Sequence, residues 1–280
     1  MTTTKIALKL AYIGTNYSGF QTQPGRLTIE GTLIQALKKV GIIKDQQSAR
    51  FSTSGRTDKG VHALGAVVAF ETDTPMLATA RNINSELPPD IWTWGRAHVP
   101  LSFDARRAAV GRSYRYILND SGYDIHTMRD ASELLQGIHD FKNFTLEKNG
   151  STIREVKSIA VRVLGSFVII DVTADSFLWN MVRRIVTGLM LVGSGKRDVA
   201  WVEEMLNPDQ HEEGLMAAPP HGLILTQVDY NDVNFVEDEY AKKRAMKMLQ
   251  QETLYHGVMT EMLKMLDEKM GSSKSDLGSF

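Results

Sequence analysis

The sequence contains no cysteine, which excludes disulfide bonds, thiolate zinc sites, iron–sulfur clusters and cysteine nucleophiles. The groups left for chemistry are carboxylates, His, Lys, Tyr and Ser. The sequence also lacks any run of roughly 18 to 20 apolar residues, so we expect no membrane span. The first residues lack the apolar core of a secretory signal and alternate as a strand does. These absences predict a cytoplasmic protein.

The composition is typical of a folded globular protein. Of its 280 residues, 42% are hydrophobic and 23% are charged, and a chain of this length buries a large core in one domain or in two packed domains. The net charge of −1 does not by itself indicate a nucleic-acid partner. Arginine, the side chain suited to bidentate phosphate contact, is nevertheless clustered at positions 96, 106, 107, 112, 115, 183, 184 and 197. These clusters indicate either a phosphate-binding surface or ordinary solvated arginine.

Strand and helix patterns occur in mixed order along the chain. Alternation and apolar runs predict strands at residues 6–12, 65–70, 91–99, 113–118, 167–172 and 222–229. Helical spacing predicts helices at residues 28–40, 79–85, 177–192 and 198–206, and a polar, helical insert between residues 118 and 167. We therefore expect an α+β fold with two similar halves that pack together and share a cleft.

Three domains are predicted: an N-terminal half at residues 1–100, a C-terminal half at residues 101–230, and a helical extension at residues 231–280. The helix predicted at residues 177–192 has an apolar face and a polar face, and Arg183 and Arg184 lie on the polar one. The extension is rich in methionine, which we interpret as packing surface.

The most informative segment is the loop at residues 55–62, GRTDKGVH. An Asp in a glycine-flanked turn is usually a turn former that bonds its own backbone. Here Arg56 and Lys59 place positive charge beside Asp58 and favour its ionised form, and the glycines let a large substrate approach the backbone. An ionised, partly desolvated carboxylate is a competent nucleophile or base.

Three segments of the sequence resemble the TruA type of tRNA pseudouridine synthase. Residues 54–63, SGRTDKGVHA, are similar to the catalytic loop of that family. Residues 103–106, FDAR, and 112–116, RSYRY, are similar to its RNA-contact segment and tyrosine strand. Residues 177–186, FLWNMVRRIV, are similar to the helix that carries the basic partner of the catalytic acid. The resemblance covers roughly residues 5 to 230, as ordered motifs rather than a single loop.

Two departures from the bacterial form occur. Lys59 replaces a small residue, and together with Trp179 and Asn180 it makes the chain more similar to the archaeal and eukaryotic branch. The extension after Asp229 has no counterpart in the short bacterial form. Neither departure affects the reactive groups, but both leave the choice of target uridine open.

The resemblance implies a pseudouridine synthase fold, with two ferredoxin-like halves and mostly antiparallel sheets flanking a central cleft. It implies isomerisation of uridine to pseudouridine at positions 38–40 of the tRNA anticodon stem-loop, with no redox cofactor and no metal. Asp58 is the expected catalytic carboxylate, acting as a nucleophile at C1′ or as a base at C2′. Arg183 is expected to pair with it, Tyr114 to stack on the uracil, and Arg56 to hold the flipped nucleotide.

The expected RNA-binding residues extend beyond the catalytic loop. They are Phe103, Asp104, Ala105, Arg106, Arg107, Arg112 and Arg154. Arg115 is left open, because its side chain points either with Tyr114 or to the opposite side of the strand. His62 is expected to be structural or an RNA contact rather than a general base. The resemblance also implies a homodimer that binds one tRNA across both subunits.

Two other functions stay open at this point. One is a noncatalytic RNA-binding protein, which would use the same arginines and tyrosine but would not need Asp58 beside two cations. The other is an enzyme that acts on a small nucleoside or nucleotide, which would not need an extended series of arginines.

Overall fold

The structure is a computed structural model that describes residues 3–209 and 215–271. Within these residues the chain forms ten β-strands and six α-helices. The strands are β1 (Thr4–Tyr12), β2 (Ser52–Thr53), β3 (His62–Thr72), β4 (Ile91–Val99), β5 (Ala109–Asn119), β6 (Gly137–Asp140), β7 (Ile153–Leu164), β8 (Phe167–Ala174), β9 (Leu223–Tyr230) and β10 (Val236–Glu237). The helices are α1 (Ile29–Val40), α2 (Ala80–Asn84), α3 (Ile125–Leu134), α4 (Met181–Gly193), α5 (Ala200–Met205) and α6 (Glu239–Gly271).

All ten strands belong to one sheet. The order across the sheet is β10-β4-β1-β3-β9-β5-β8-β7-β6, and β2 pairs with β3 away from this path. The described pairings are antiparallel except that of β3 with β9, where His62 and Ala63 lie beside Ile224 and Leu225. The predicted α+β class with a mostly antiparallel sheet and a C-terminal helix is therefore confirmed.

Two apolar cores lie against the sheet. The first is formed by β1, β3, β4, α1 and α2, together with Leu225 and Val228 of β9. The second is formed by β5, β7, β8, α3, α4 and α5, together with Val61. Most residues of the first core precede residue 100 and most of the second follow it, and the sheet is continuous through both. The boundaries at residues 100 and 230 stay predictions.

Local signals in the sequence position α1 well. The hydroxyl oxygen of Thr28 accepts a hydrogen bond from the amide of Gly31, and Gly41 ends the helix with a φ of 81°. A threonine at the N-cap satisfies an amide that has no partner in the helix, and glycine adopts the left-handed conformation without a steric cost. Thr79 caps α2 in the same way.

The insert between β5 and β8 differs from its prediction. It contains α3, but it also contains β6 and the twelve-residue strand β7. Charged residues occupy the exposed face of β7, while Val156, Ile159 and Val161 are buried on its other face. A register shift between Val156 and Ser158 interrupts the alternation that is typical of a strand, so the buried Val156 and Ile159 lie three residues apart.

The helix predicted at residues 177–192 begins four residues later, at Met181. Asn180 has a φ of 62°, a left-handed conformation that ends the preceding turn and cannot be part of a right-handed helix. The prediction for Arg184 was wrong, because this side chain is buried rather than on a solvated face. Arg183 occupies the predicted polar side, and its partners are described below.

The C-terminal extension forms α6, a helix of 33 residues. Its first turns contact β4 and α2, and Ala241 is buried there. Beyond residue 250 nearly every described side chain is exposed, including Leu254, Val258 and Leu263. Its methionines pack less than predicted. No helix within residues 3–209 and 215–271 has the length and apolar content needed to cross a membrane.

Gly65 lies where β3 crosses β9, and this contact generates a stability prediction. A Cβ at this position would lie 2.4 Å from the carbonyl oxygen of Thr226, which is backbone and cannot rotate away. We expect Gly65→Ala to lower the free energy of unfolding by about 2 kcal/mol or more, as overpacking does, measured by urea denaturation. Gly257→Ala, on the exposed part of α6 with no atom within 4 Å, is the matched control. Equal stability of the two variants would contradict the prediction.

Candidate active site

The loop at residues 54–61 connects β2 to β3 and is held in place at Ser54 and Thr57. Val67 donates its amide hydrogen to the hydroxyl oxygen of Ser54 at 3.0 Å. The hydroxyls of buried Tyr12 and Thr57 are 2.8 Å apart, and the amide of Phe20 donates to the carbonyl of Thr57 at 3.0 Å. Thr57, the residue before Asp58, is therefore anchored in the N-terminal half. Its contacts with Tyr12 and Phe20 fix the position of the Asp58 backbone.

Gly19 lets the loop at residues 17–21 lie against the Asp58 loop. Its φ is 102°, and a Cβ there would lie 3.1 Å from the carbonyl oxygen of Thr57 and 3.3 Å from the amide nitrogen of Lys59. Glycine is suited to both conditions, because it has no Cβ and tolerates positive φ. The two loops therefore support each other.

The Asp58 carboxylate receives one donor on each oxygen. Nη1 of Arg183 lies 3.0 Å from Oδ2, and the indole nitrogen of Trp179 lies 3.1 Å from Oδ1. The Asp58 side chain keeps 29% of its accessible surface, against 15% for Arg183. A carboxylate has about four lone-pair sites, so these two donors orient it and leave acceptor positions facing solvent.

Arg183 is itself oriented by protein acceptors. Nη1 also donates to Oδ1 of Asn180 at 3.0 Å, and Nε donates to the carbonyl of Ala218. The left-handed Asn180 that delays the start of α4 thus places an acceptor beside the guanidinium. Arg183 is consequently fixed by α4 on one side and by the segment before β9 on the other.

Tyr114 lies on β5 beside this ion pair. Its ring packs edge-on against Phe177, with centroids 5.2 Å apart and planes at 89°. Burial raises the pKa of Tyr114 to about 12; nearby Arg112 lowers it, whereas the Asp58 charge raises it further. The phenol is therefore neutral at physiological pH, and its hydroxyl has no hydrogen-bond partner among the described residues.

The structure thus brings together three of the predicted site residues, Asp58, Arg183 and Tyr114. Arg56, the fourth, is exposed on the same loop, and within the described chain its side chain makes no hydrogen bond or ion pair. It is available to a substrate that approaches Asp58.

The predicted RNA-contact segment is divided by the structure into buried and exposed parts. Phe103 and Ala105 are buried, and Phe103 packs against Tyr230 with ring centroids 5.3 Å apart. The Asp104 carboxylate accepts hydrogen bonds from the amides of Arg106 and Arg107, two and three residues later, at 2.9 Å each. These three residues build the turn, and the arginines that follow it are exposed. The exposed pair is Arg106 and Arg107.

Three other arginines have protein partners. Arg112 donates to four backbone carbonyls. Arg115 forms a bidentate pair with Asp171, at 2.7 and 3.2 Å. Arg154 donates to the carbonyls of Ser151 and Ile153, so its guanidinium is turned back on its own segment.

Sequence reasoning missed two contributors to the site. Trp179 was noted only as a family marker, yet its indole is a direct donor to Asp58, and Phe177 forms one wall beside Tyr114. The only indication of their role in the sequence is their position, because both lie about one turn or less before the start of α4 at Met181. The roles of Trp179 and Phe177 could be predicted only if this segment were known to lie across from the Asp58 loop.

Within residues 3–209 and 215–271, no group of three or more His, Asp or Glu side chains has a geometry suited to a metal ion.

His62 has a structural place, as one of its two predicted alternatives stated. The amide of Gly14 donates to Nδ1 at 3.1 Å, and Nε2 lies 3.1 Å from the carbonyl of His221. An Nδ1 that accepts requires a neutral ring with the proton on Nε2. Burial is the main cause that lowers the pKa of His62; the hydrogen bond to the His221 carbonyl opposes it, and the nearby His221 ring adds to it.

The comparisons of this sequence with known families and proteins all point to one family. A family model described as tRNA pseudouridine synthase matches residues 9–106 and 131–231. A protein of Methanosarcina barkeri named tRNA pseudouridine synthase A is 51% identical over 265 residues, covering 94% of this chain and 98% of that relative. The protein of the same name in Methanosarcina mazei is 52% identical over the same coverage. That of Archaeoglobus fulgidus is 41% identical over 263 residues, covering 93% of this chain and 97% of that relative.

Among solved structures, the archaeal box H/ACA sRNP Nop10-Cbf5 complex matches 66% of this chain and 43% of its own. The TM-score is 0.35 and the sequence identity is 12%, so this likeness adds nothing to the comparison of sequences.

The neutral state of His62 generates a pH prediction. A histidine whose pKa is lowered by folding takes up a proton more readily in the unfolded chain, so folding stability is lost as the pH falls below about 6.5. We expect His62→Gln, which keeps a donor and an acceptor but does not titrate, to lose less thermal stability than the wild type between pH 7.5 and 5.5. Circular dichroism melts of the two proteins, in which other titrating groups are shared, measure the difference. Parallel losses would contradict it.

Proposed function

The chain belongs to the tRNA pseudouridine synthase family and is an isomerase of tRNA, and we propose that Asp58 is its catalytic carboxylate. The family predicted from the three motifs is confirmed, and the relatives named above are archaeal. The observation that carries the proposal is the Asp58 carboxylate itself. It is partly exposed, receives donors on both oxygens, and lies beside a half-buried tyrosine.

The reaction breaks the bond from N1 of uracil to C1′ of the ribose and forms a bond from C5 to the same carbon. In one route a carboxylate oxygen attacks C1′ and N1 leaves; the base then turns, and C5 displaces the carboxylate. In the other route the carboxylate removes the C2′ proton as N1 leaves, which forms a C1′=C2′ double bond, and the carboxylate returns that proton to C2′ as C5 bonds to C1′. In both routes the C5 proton is lost and N1 gains one. The isomerisation therefore involves no net oxidation.

We assign the remaining roles by the surroundings of Asp58. Arg183 holds the carboxylate in one orientation through a hydrogen bond between charged groups. Tyr114 stacks on the uracil and keeps the detached base close, since an aromatic ring contributes about 1–3 kcal/mol of stacking without reading base identity. Arg56 holds the nucleotide flipped out, either by filling the space that the nucleotide leaves or by binding the phosphates beside that space.

The RNA path is proposed to run over Arg106 and Arg107. Both are exposed and, among the described residues, their guanidinium groups have no acceptor. The turn built by Phe103, Asp104 and Ala105 presents them. From the resemblance to the TruA type, we propose that the target uridines are at positions 38–40 of the anticodon stem-loop, and that the protein acts in the cytoplasm.

The test of Asp58 is tritium release from tRNA labelled at C5 of uridine, because only bonding at C5 releases that hydrogen. We expect Asp58→Asn to reduce release by at least about 10³-fold, as removal of a catalytic nucleophile or base does. Binding of tRNA is expected to stay within about threefold, since the side chain keeps its shape and loses its charge. Asp267→Asn, the same change on exposed α6, is the control. Release at the wild-type rate from Asp58→Asn would refute the assignment.

We propose in addition that the protein is a homodimer and that α6 supplies its contact. Eight large side chains between residues 254 and 270 are at least 44% exposed, and at 100° per residue they fall on one half of the helix. Such an apolar face exceeds what a monomer usually exposes. The charged residues of this segment are mixed in sign, Glu261, Lys264, Asp267, Glu268 and Lys269. This mixture favours a second copy of the helix over RNA or an anionic membrane.

Light scattering tests the homodimer. The wild type is expected at twice the 31.2 kDa of one chain, and Leu263→Glu at the mass of one chain at micromolar concentration, because it places a charge in the apolar face. Lys264→Glu, the neighbouring change on the polar side, is expected to stay dimeric. A wild-type monomer, or a dimer unaffected by Leu263→Glu, would refute the contact.

A further inference from the structure

Arg112 joins the segments that form the site. Its Nη1 donates to the carbonyls of Ala109 and Asp175, at 3.3 and 2.8 Å. Its Nη2 donates to the carbonyls of Ser54 and Arg106, at 3.2 and 2.8 Å. A guanidinium has four hydrogens on its two Nη atoms, and four carbonyls receive them. No Nη hydrogen remains for a bidentate contact with phosphate.

The four carbonyls come from separate parts of the site. Ser54 is the start of the loop that carries Asp58, and Arg106 belongs to the turn that presents the exposed arginines. Asp175 follows β8 and begins the segment that leads to Phe177 and the start of α4. In sequence, Ser54 and Asp175 lie 58 and 63 residues from Arg112. One side chain thus connects the Asp58 loop to the segment that carries its two donors.

We propose that Arg112 is a positioning residue for the isomerisation rather than an RNA contact, and that it holds the Asp58 loop and the start of α4 in register. The proposal rests on the catalytic role of Asp58 proposed above. It replaces the sequence-based expectation that Arg112 belongs to the RNA-binding surface.

The chemistry of the side chain explains why arginine is present here. The guanidinium is planar, always charged and offers donors in fixed directions, so it can join carbonyls on two of its edges. Each bond from a charged donor to a carbonyl is stronger than one between neutral groups. A lysine offers three donors from a single nitrogen and cannot reach four carbonyls that lie on two edges. Arg112→Lys therefore keeps the positive charge but loses some of the hydrogen bonds that fix the Asp58 loop relative to the start of α4.

Loss of register is expected to appear in turnover and not in tRNA affinity. Misplacement of a catalytic group by about 1 Å costs roughly 10²-fold in rate. We therefore expect Arg112→Lys and Arg112→Gln to lower kcat by about 10- to 100-fold, with Arg112→Lys the milder. KM for tRNA and the salt dependence of tRNA binding are expected to stay at the wild-type values, because no phosphate contact is removed.

A phosphate contact would give the opposite pattern. A plot of log affinity against log salt concentration has a negative slope. Loss of a single cation-to-phosphate contact makes this slope less steep by about one. Arg107→Gln, an exposed arginine of the proposed RNA path, is the comparison, and it is expected to make this slope less steep and raise KM. If Arg112→Gln makes the slope less steep in the same way and keeps its kcat, the positioning role is wrong.

Two further measurements separate the possible failures. Asp58→Asn is assayed in parallel by tritium release. If it still turns over, the proposed function fails; if it is inactive while Arg112→Gln has the wild-type kcat, only the positioning role fails. Circular dichroism melts report folding. If even Arg112→Lys is unfolded at the assay temperature, the four bonds maintain the fold rather than the site, and the proposal is overturned.

Discussion

The insertion of β9 between β3 and β5 is the constraint on which the site depends. In the sheet, Ala63 of β3, Leu225 of β9 and Tyr114 of β5 lie side by side. The Asp58 loop enters β3 just before this row, and the segment before β9 supplies the Ala218 carbonyl to Arg183. β9, which follows all the other strands of the site in the chain, thus places Asp58, Arg183 and Tyr114 beside one another. The same strand also joins the two cores, because Leu225 and Val228 belong to the first and Leu223 to the second.

The electrostatics of the site represent a compromise between burial and access. A fully buried carboxylate beside a single cation would be costly to desolvate, and it could not perform the proposed attack on a ribose. Asp58 avoids this by remaining partly exposed, while Arg183 is more buried and is satisfied by Asn180 and Ala218. The cation is therefore fixed before the substrate arrives. Preorganised donors of this kind do not need to reorganise during the reaction.

Local chemistry determined how much of this could be predicted. The caps of α1, the run of β3 and the motif loop are local signals, and the structure confirms each of them as an element. β7 was missed because a register shift between Val156 and Ser158 interrupts the alternation of apolar and polar residues. The late start of α4 depends on the left-handed Asn180, and the donor role of Trp179 depends on an aspartate 121 residues away. Contacts over such distances have no local signature.

For the arginine clusters, the sequence predicted more surface cations than the structure leaves exposed, again because contacts distant in sequence could not be foreseen. In sequence the arginines around residues 106 to 115 look equivalent, but the structure assigns Arg112 and Arg115 to protein acceptors and leaves Arg106 and Arg107 exposed. The cationic surface is thus smaller than the composition indicates. For a chain of net charge −1, the proposed function requires the attraction for phosphate to come from a few exposed cations near the Asp58 loop.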